Sequence, residues 1–256
     1  MAQDEIGSAA EVRQRQIIGM LQAAGKVDVN ELAQHFGVSG MTIRRDLAEL
    51  DDAGLVHRVH GGAVGRRAPA YGSRSSTMAT EKARIARAVS SVVTDHAAVG
   101  IDTGTTCAAV AGELAHRSDL TLITNSLHAA LELHDTASRV IVLGGVMTRE
   151  LSLVSSGAAQ EQPQIHLDVL VLGCGGLSVD RGVTYFDPGE VEIRRTLCEL
   201  ADRVVVVADH TKFDRKKAIA LGDLSVVDVL ITDQEPPAHL AERLRAGGAT
   251  IVVAPD

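Results

Sequence analysis

Val38-Ser-Gly-Met-Thr-Ile-Arg-Arg-Asp-Leu-Ala-Glu-Leu50 is followed closely by Gly54-Leu-Val-His-Arg-Val-His-Gly-Gly62. In the first segment Ile43, Leu47 and Leu50 recur at i, i+4 and i+7, which places them on one buried helical stripe. Arg45 points away from that stripe, with Met41 and Thr42 beside it and Arg44 at its flank. Ser39 is placed to cap a helix running from about Gly40 to Ala53, and Gly54 is placed to end it. Leu55 to Val64 then alternates around Gly61-Gly62, the pattern of two short strands joined by a tight turn. Polar and cationic residues in the first turns of the second helix of a helix-turn-helix are where base edges and phosphates are met. Arginine can fork onto guanine, and threonine can serve a phosphate or a base. His57, Arg58 and His60 on the hairpin would reach phosphate or an adjacent minor groove. The alternative for the helix is a solvated face with internal ion pairs, Arg45 with Glu49 for example.

Working outward toward the N-terminus, Val12, Ile17, Ile18 and Leu21 give residues 12–25 a helical period that Gly25 stops. Val27-Asp-Val-Asn30 leads into a short helix over Glu31–Phe36, ended by Gly37. The order is therefore helix, glycine, helix, glycine, serine, helix, glycine, hairpin. That order favours the DNA-reading interpretation over an isolated charged helix.

Toward the C-terminus, the Gly-, Pro-, Ser- and Arg-rich stretch from Gly65 to Ser76 has the composition of a linker. A helix over Glu81 to about Val93 follows. From Val99 onward, short apolar strands alternate with helices. The strands fall at Val99–Asp102, Leu120–Thr124, Val140–Leu143, Asp168–Leu172, Val204–Ala208, Val229–Thr232 and Thr250–Val253. Fully apolar strands separated by helices imply a mainly parallel sheet covered on both faces. The fold class is α/β: a small N-terminal domain over residues 1–65, a linker over 66–80 and a larger Rossmann-like domain over 81–256.

Composition limits the remaining possibilities. The 256 residues carry a formal net charge of −8, so DNA contact must come from a local cluster of cations and not from the whole-molecule field. Residues 1–66 hold seven Lys and Arg against nine carboxylates, which fits cations focused on one face of an oligomer. The acidic start Met1-Ala-Gln-Asp-Glu lacks a signal-peptide core, and no apolar run approaches the ~18 residues needed to span a bilayer. Cys107, Cys174 and Cys198 are few and widely spaced, which suits a reducing cytoplasm. The ten histidines show no zinc-type spacing, so no metal site is expected.

A second site is suggested by Ile101-Asp-Thr-Gly-Thr-Thr106, where a strand runs into a helix through a small polar loop. Gly104 allows close backbone approach, the loop amides and helix N-terminus favour an anion, and Thr103, Thr105 and Thr106 offer hydroxyls. The plain alternative is N-capping by Thr105 or Thr106. Asn125, Gly144-Gly145 and Gly175 also end strands, where ligands collect in open parallel sheets. Lys212 follows another strand and can pair with a phosphate. Neither a Walker loop nor a dinucleotide fingerprint is present, so no cofactor is expected.

Residues 12–64 resemble the winged helix-turn-helix of the DeoR family of bacterial transcription regulators. The likeness rests on Glu31-Leu-Ala, Phe36, Val38-Ser39, Thr42-Ile-Arg-Arg-Asp-Leu47, Leu50, Gly54-Leu55 and Arg58-Val-His-Gly-Gly62. It continues over 81–254, which is similar to the family's sensor domain and through it to ribose-5-phosphate isomerase. The resemblance implies that Ser39, Thr42, Arg44 and Arg45 belong to a recognition helix and Arg58 and His60 to a wing. It further implies an effector site at Asp102, Gly104, Thr105, Thr106, Asn125, Gly144, Gly145, Gly175, Glu190 and Lys212. Where many relatives have Lys then Arg, this chain has Arg194-Arg195, a change that keeps charge but not geometry and puts a ligand role for Arg194 in doubt. The expected function is a cytoplasmic, non-enzymatic DNA-binding regulator, a repressor of a carbohydrate operon. Its expected partners are double-stranded operator DNA, a sugar-phosphate effector and further copies of itself, as a dimer or tetramer. The competing expectation is a sugar-phosphate isomerase using Asp102, Glu190 and Lys212 as acid, base and electrophile.

Overall fold

The computed structural model describes residues 9–24, 26–52, 55–65, 71–148, 150–154 and 165–256. The chain divides into two compact units, Met1–Ala68 with Lys216–Ala218, and Pro69–Arg215 with Ile219–Asp256. The expected helix stops Gly25 and Gly54, and residues 66–70 of the expected linker, lie outside the described residues.

The head consists of α1 (Ala9–Ala24), β1 (Lys26–Asp28), α2 (Val29–Phe36), α3 (Gly40–Asp52), β2 (Val56–Val59) and β3 (Gly62–Gly65). Its core joins Ile17 and Leu21 of α1, Leu32 of α2, the Ile43–Leu47–Leu50 stripe of α3, and Val56 and Ala63 of the strands. Val12, read as part of the apolar period of α1, stands 37% exposed. Asp28 accepts the backbone N–H groups of Asn30 (2.7 Å) and Glu31 (3.3 Å), so α2 starts at Val29, two residues before the expected start. Gly37 ends α2 at φ 62°, a left-handed conformation that glycine adopts without a Cβ penalty. Asp28→Ala removes this cap and is expected to lower head stability by about 1 kcal/mol. The check is a chemical-denaturation midpoint followed through an amide of α2.

β1 was not foreseen as a strand. It pairs antiparallel with β3, which also pairs with β2, giving a three-stranded sheet in the order β1-β3-β2. Gly62 permits this pairing: a Cβ there would lie 2.0 Å from the carbonyl oxygen of Val27. His60 and Gly61 form the two-residue turn between β2 and β3, with Gly61 at φ 80°.

The body begins with α4 (Tyr71–Ser76) and α5 (Ala79–Val89). Helix α4 is a departure from the linker expected there: its Gly-Ser-rich sequence is helical, with Thr77 Oγ1 donating to the Ser73 carbonyl at 2.8 Å. Then follow β4 (Ala98–Ile101), α6 (Thr105–Leu114), β5 (Thr121–Thr124), α7 (Leu127–Glu132), β6 (Arg139–Val142), β7 (Val146–Met147) and β8 (Leu153–Val154). The remainder is β9 (Val169–Gly173), β10 (Gly176–Ser178), β11 (Gly182–Tyr185), α8 (Pro188–Glu199), β12 (Val204–Val207), β13 (Ile219–Gly222), β14 (Val229–Thr232), α9 (Ala238–Ala246) and β15 (Thr250–Val253).

Seven of these strands form one parallel sheet in the order β15-β14-β12-β9-β4-β5-β6. Side-chain alternation gives the sheet two cores. Val169, Val171, Val205 and Val207 face the side covered by α5 and α6, with Ile85, Val89, Val110 and Leu114. Leu170, Leu172, Val204 and Val206 face the other, with Val191 and Leu197 of α8 and Leu240 and Leu244 of α9. From β4 the chain winds through α6 and α7 toward β6; from β9 it winds through α8 toward β15. The direction of winding reverses between β4 and β9, and ligands of open α/β sheets gather at such a switch point, beyond the carboxyl ends of the strands. The antiparallel sheet β10-β11-β13 and the β7–β8 hairpin were not foreseen.

Candidate functional site

On the head, α3 buries Ile43, Asp46, Leu47 and Leu50 and turns Arg44, Arg45 and Met41 outward. The orientation of α3 is fixed by a contact the sequence reading did not include. Arg13 of α1 forks onto Asp46, with Nε to Oδ2 at 2.6 Å and a second nitrogen to Oδ1 at 3.0 Å. Ser39 Oγ accepts the Thr42 N–H at 3.1 Å and lies 2.9 Å from the Thr42 hydroxyl, so it serves as the expected cap. Arg45 makes the ion pair named as its alternative, Nε to Glu49 Oε1 at 3.1 Å, yet its side chain is 82% exposed. An exposed i,i+4 pair contributes at most about 1 kcal/mol and yields readily to a stronger anion. His57, Arg58 and His60 are all exposed on the β2–β3 ribbon. The head thus presents an arginine-bearing helix face and a ribbon that carries His57, Arg58 and His60.

In the body, all ten expected effector residues lie in the segments beyond the carboxyl ends of strands, but they do different work. Gly104, at φ 113°, is the N-cap of α6 and leaves the helix start without a side-chain cap, so Thr105 and Thr106 belong to its first turn and do not cap it. The first amides of α6 are therefore available to an anion. Asn125 is buried; its Nδ2 donates to the Leu153 carbonyl at 3.2 Å, while its Oδ1 has no hydrogen-bond partner among the described residues. A buried orphan acceptor costs free energy that a ligand hydroxyl would recover. Lys212 stands in a 3-10 turn after β12, half-buried, with Nζ 3.8 Å from Asp209.

The other expected residues are engaged by the protein itself. Asp102 is fully buried and accepts Arg194 Nε on both oxygens, at 3.0 and 2.9 Å. Glu190 takes the same guanidinium at 3.2 Å and the Ser152 hydroxyl at 2.7 Å. Arg194 also donates to Thr103 Oγ1 at 2.6 Å and stacks 4.1 Å above the Tyr185 ring, whose hydroxyl binds the Gly173 carbonyl at 2.7 Å. Burial works against the Arg194 charge, but the Asp102 and Glu190 carboxylates outweigh it and hold the guanidinium above the usual arginine range. The Gly175 N–H is taken by the Thr184 carbonyl at 2.9 Å. Gly145 lies so close to β8 that a Cβ would meet the Val154 carbonyl at 2.2 Å, while Gly144 is exposed. Both carboxylates of the isomerase alternative are hydrogen-bonded to Arg194.

Lys82 of α5 was missed. It is 5% exposed, donates to the carbonyls of Arg74 and, at 2.6 Å, Thr77, and feels both Asp209 and Lys212. Burial holds its ammonium below the usual lysine range, with Asp209 opposing. The signal was present: Lys82, Ile85, Ala86 and Val89 share one helical face, so the lysine sits at a core position.

The family model for the DeoR-like helix-turn-helix domain matches residues 13–66, and that for the DeoR C-terminal sensor domain matches residues 77–234. The chain belongs to the DeoR family. It is 35% identical to the glycerol-3-phosphate regulon repressor of Escherichia coli K12 over 91% of this chain and 94% of that one. It is 34% identical to the HTH-type transcriptional repressor CsqR of the same organism, over 94% of each chain. About half of the chain (54%) superposes on 56% of ribose 5-phosphate isomerase A from Methanocaldococcus jannaschii, with a TM-score of 0.42 and 16% identity, a likeness too distant to bear on activity. This DeoR-family chain is a DNA-binding transcription regulator and not an enzyme. None of its described helices is long and apolar enough to cross a membrane.

Burial pushes the thiols of this regulator up: Cys174 and Cys198 to about 12 and Cys107 well above its ordinary value. A thiol reacts as its thiolate. The native protein at pH 8 is therefore expected to resist iodoacetamide at all three positions and to be labelled only once unfolded, as mass spectrometry of tryptic peptides would show.

Proposed function

We propose that this regulator is a cytoplasmic repressor of a carbohydrate-metabolism operon, acting as a homo-oligomer, a dimer or tetramer, on double-stranded operator DNA. Residues 1–65 read the DNA, with Thr42, Arg44 and Arg45 facing the major groove, Ser39 shaping the start of the reading helix, and Arg58 and His60 on the flanking backbone. Residues 81–256 receive a phosphorylated sugar or polyol. The observation that carries the reading is the exposure of Arg44 and Arg45 on a helix whose opposite face is locked by Arg13–Asp46 and the Ile43–Leu47–Leu50 core. For the effector, the support is the uncapped start of α6, the Asn125 acceptor left without a partner among the described residues, and the ammonium of Lys212, each following the carboxyl end of a strand. Two relatives, a glycerol-3-phosphate regulon repressor and a transcriptional repressor, agree with this reading. A ligand shifts the DNA-binding equilibrium only as far as it prefers one protein state over the other.

The test is a footprint of the full chain on the DNA upstream of its own operon, repeated with phosphorylated sugars and polyols. A protected palindromic site that one phosphoester abolishes is the expected result. Protection that no member of the panel alters removes the effector half of the reading.

A further inference from the structure

Helix α4 is short, polar and at the very start of the body, yet it is tied down at several points. Tyr71 stacks on His128 of α7, with ring centroids 3.4 Å apart and planes within 11°. Arg74 pairs with Glu150. Lys82 reaches from α5 to the carbonyls of Arg74 and Thr77, two groups that the end of so short a helix leaves without helical partners. Beneath α4 lies a cavity of about 300 Å³, walled by Tyr71 and Ser75 of α4, Lys82 of α5, Thr105 and Ala109 of α6, and Glu132 of α7.

This lining has a definite chemistry. It brings together one ammonium, one carboxylate, three hydroxyl groups and the small residues Ala79, Ala108, Ala109 and Gly112. Two of the three ammonium protons of Lys82 are used by the carbonyls of Arg74 in α4 and of Thr77 just after it, which leaves one donor. Glu132 makes no hydrogen bond or ion pair among the described residues, so its oxygens are open to donors. Thr105 belongs to the first turn of α6, whose amides favour an anion. A volume of 300 Å³ is at the small end for ligand pockets and suits a three- to six-carbon metabolite better than a nucleotide.

We infer that the effector sits in this cavity, its anionic end toward Lys82 and the start of α6 and its hydroxyls toward Glu132 and Ser75, so that α4 forms one wall of the effector site. The inference rests on the reading of a phosphorylated effector and adds its seat and its route of action. Only residues 66–70 separate α4 from the last strand of the head. A bound ligand that touches α4 therefore acts directly on the segment leading to the DNA-reading unit. It stabilises α4 against α5–α7, or competes with the carbonyls of Arg74 and Thr77 for Lys82.

The experiment uses the full chain with glycerol 3-phosphate, ribose 5-phosphate and fructose 6-phosphate as probes, and glycerol, ribose and fructose as neutral controls. Binding is read by calorimetry, and α4 by amide hydrogen exchange over residues 72–77. Ala109→Leu fills the cavity and Glu132→Gln removes its carboxylate, while Asn125→Ala reports on the strand ends. At least one phosphoester is expected to bind and to change exchange in α4. Ala109→Leu should weaken it about tenfold or more, as lost pocket volume does, and Glu132→Gln about tenfold, as a lost charged acceptor does. Because Glu132 is exposed, Glu132→Gln decides the matter if Ala109→Leu fails to fold. Wild-type affinity in Glu132→Gln, with loss in Asn125→Ala, would place the effector at the strand ends and overturn the inference while leaving the proposed function standing. Binding of none of the probes would overturn both.

Discussion

Asp102→Ala is expected to destabilise the body by about 3–5 kcal/mol, the cost of leaving a buried charge without its partner. Arg194 is 3% exposed, and Asp102 meets its Nε with both carboxylate oxygens. Glu190 and Thr103 would remain, but each contacts a different nitrogen, so the Asp102-facing side of the guanidinium would lose its compensation. A urea titration followed through an amide of β4 should show a lower midpoint with an unchanged slope. Adding Arg194→Met to Asp102→Ala should restore part of the loss, because replacing both partners of a buried pair by apolar groups is often neutral. Wild-type stability in Asp102→Ala would mean that the carboxylate does not hold Arg194. The result also changes how loss of effector response in an Asp102 variant is understood: it would reflect a weakened scaffold and not a missing ligand contact.

Arg45→Ala is expected to cost about 1–3 kcal/mol of operator affinity if the guanidinium forks onto a base. The fold should tolerate the change, because the side chain is 82% exposed and its pairing with Glu49 is an exposed one. Base recognition and phosphate contact separate cleanly. A base contact is lost on operator and barely felt on random DNA, whereas a phosphate contact is lost on both and lowers the salt slope by about one. Arg44→Ala, with the neighbouring exposed side chain, provides the comparison.

The parallel sheet was legible because its strands are short, apolar and bounded by helices. Such strands are buried on both faces, as Val204–Val207 and Val229–Thr232 are here. The elements that escaped reading owe their structure to distant partners. β1 is strand because Val27 meets Ala63, and β10, β11 and β13 exist by pairing across loops. Helix α4 was hidden by Gly-Ser composition and held by Lys82, His128 and Glu150, none of them local to it. The strand ends were legible by position, but which of their residues the protein itself engages was not. The Lys-to-Arg change put a ligand role for Arg194 in doubt; the structural role of its guanidinium, which binds Asp102, Glu190 and Thr103 together, had no local signal. Asp46 and Lys82 show what would have helped. Each is a charge on an otherwise apolar helical face, and each proves to be buried and to tie two helices together.

The most direct test is fluorescence anisotropy of wild type and Arg45→Ala on the footprinted operator and on a random duplex of equal length, at one fixed salt concentration. Wild type should prefer the operator by about a thousandfold or more, in the range of specific regulators, and Arg45→Ala should lose affinity mainly on the operator. Equal wild-type affinity for the two duplexes, or an operator affinity that Arg45→Ala and Arg44→Ala both leave unchanged, would contradict a head that reads sequence through this face of α3.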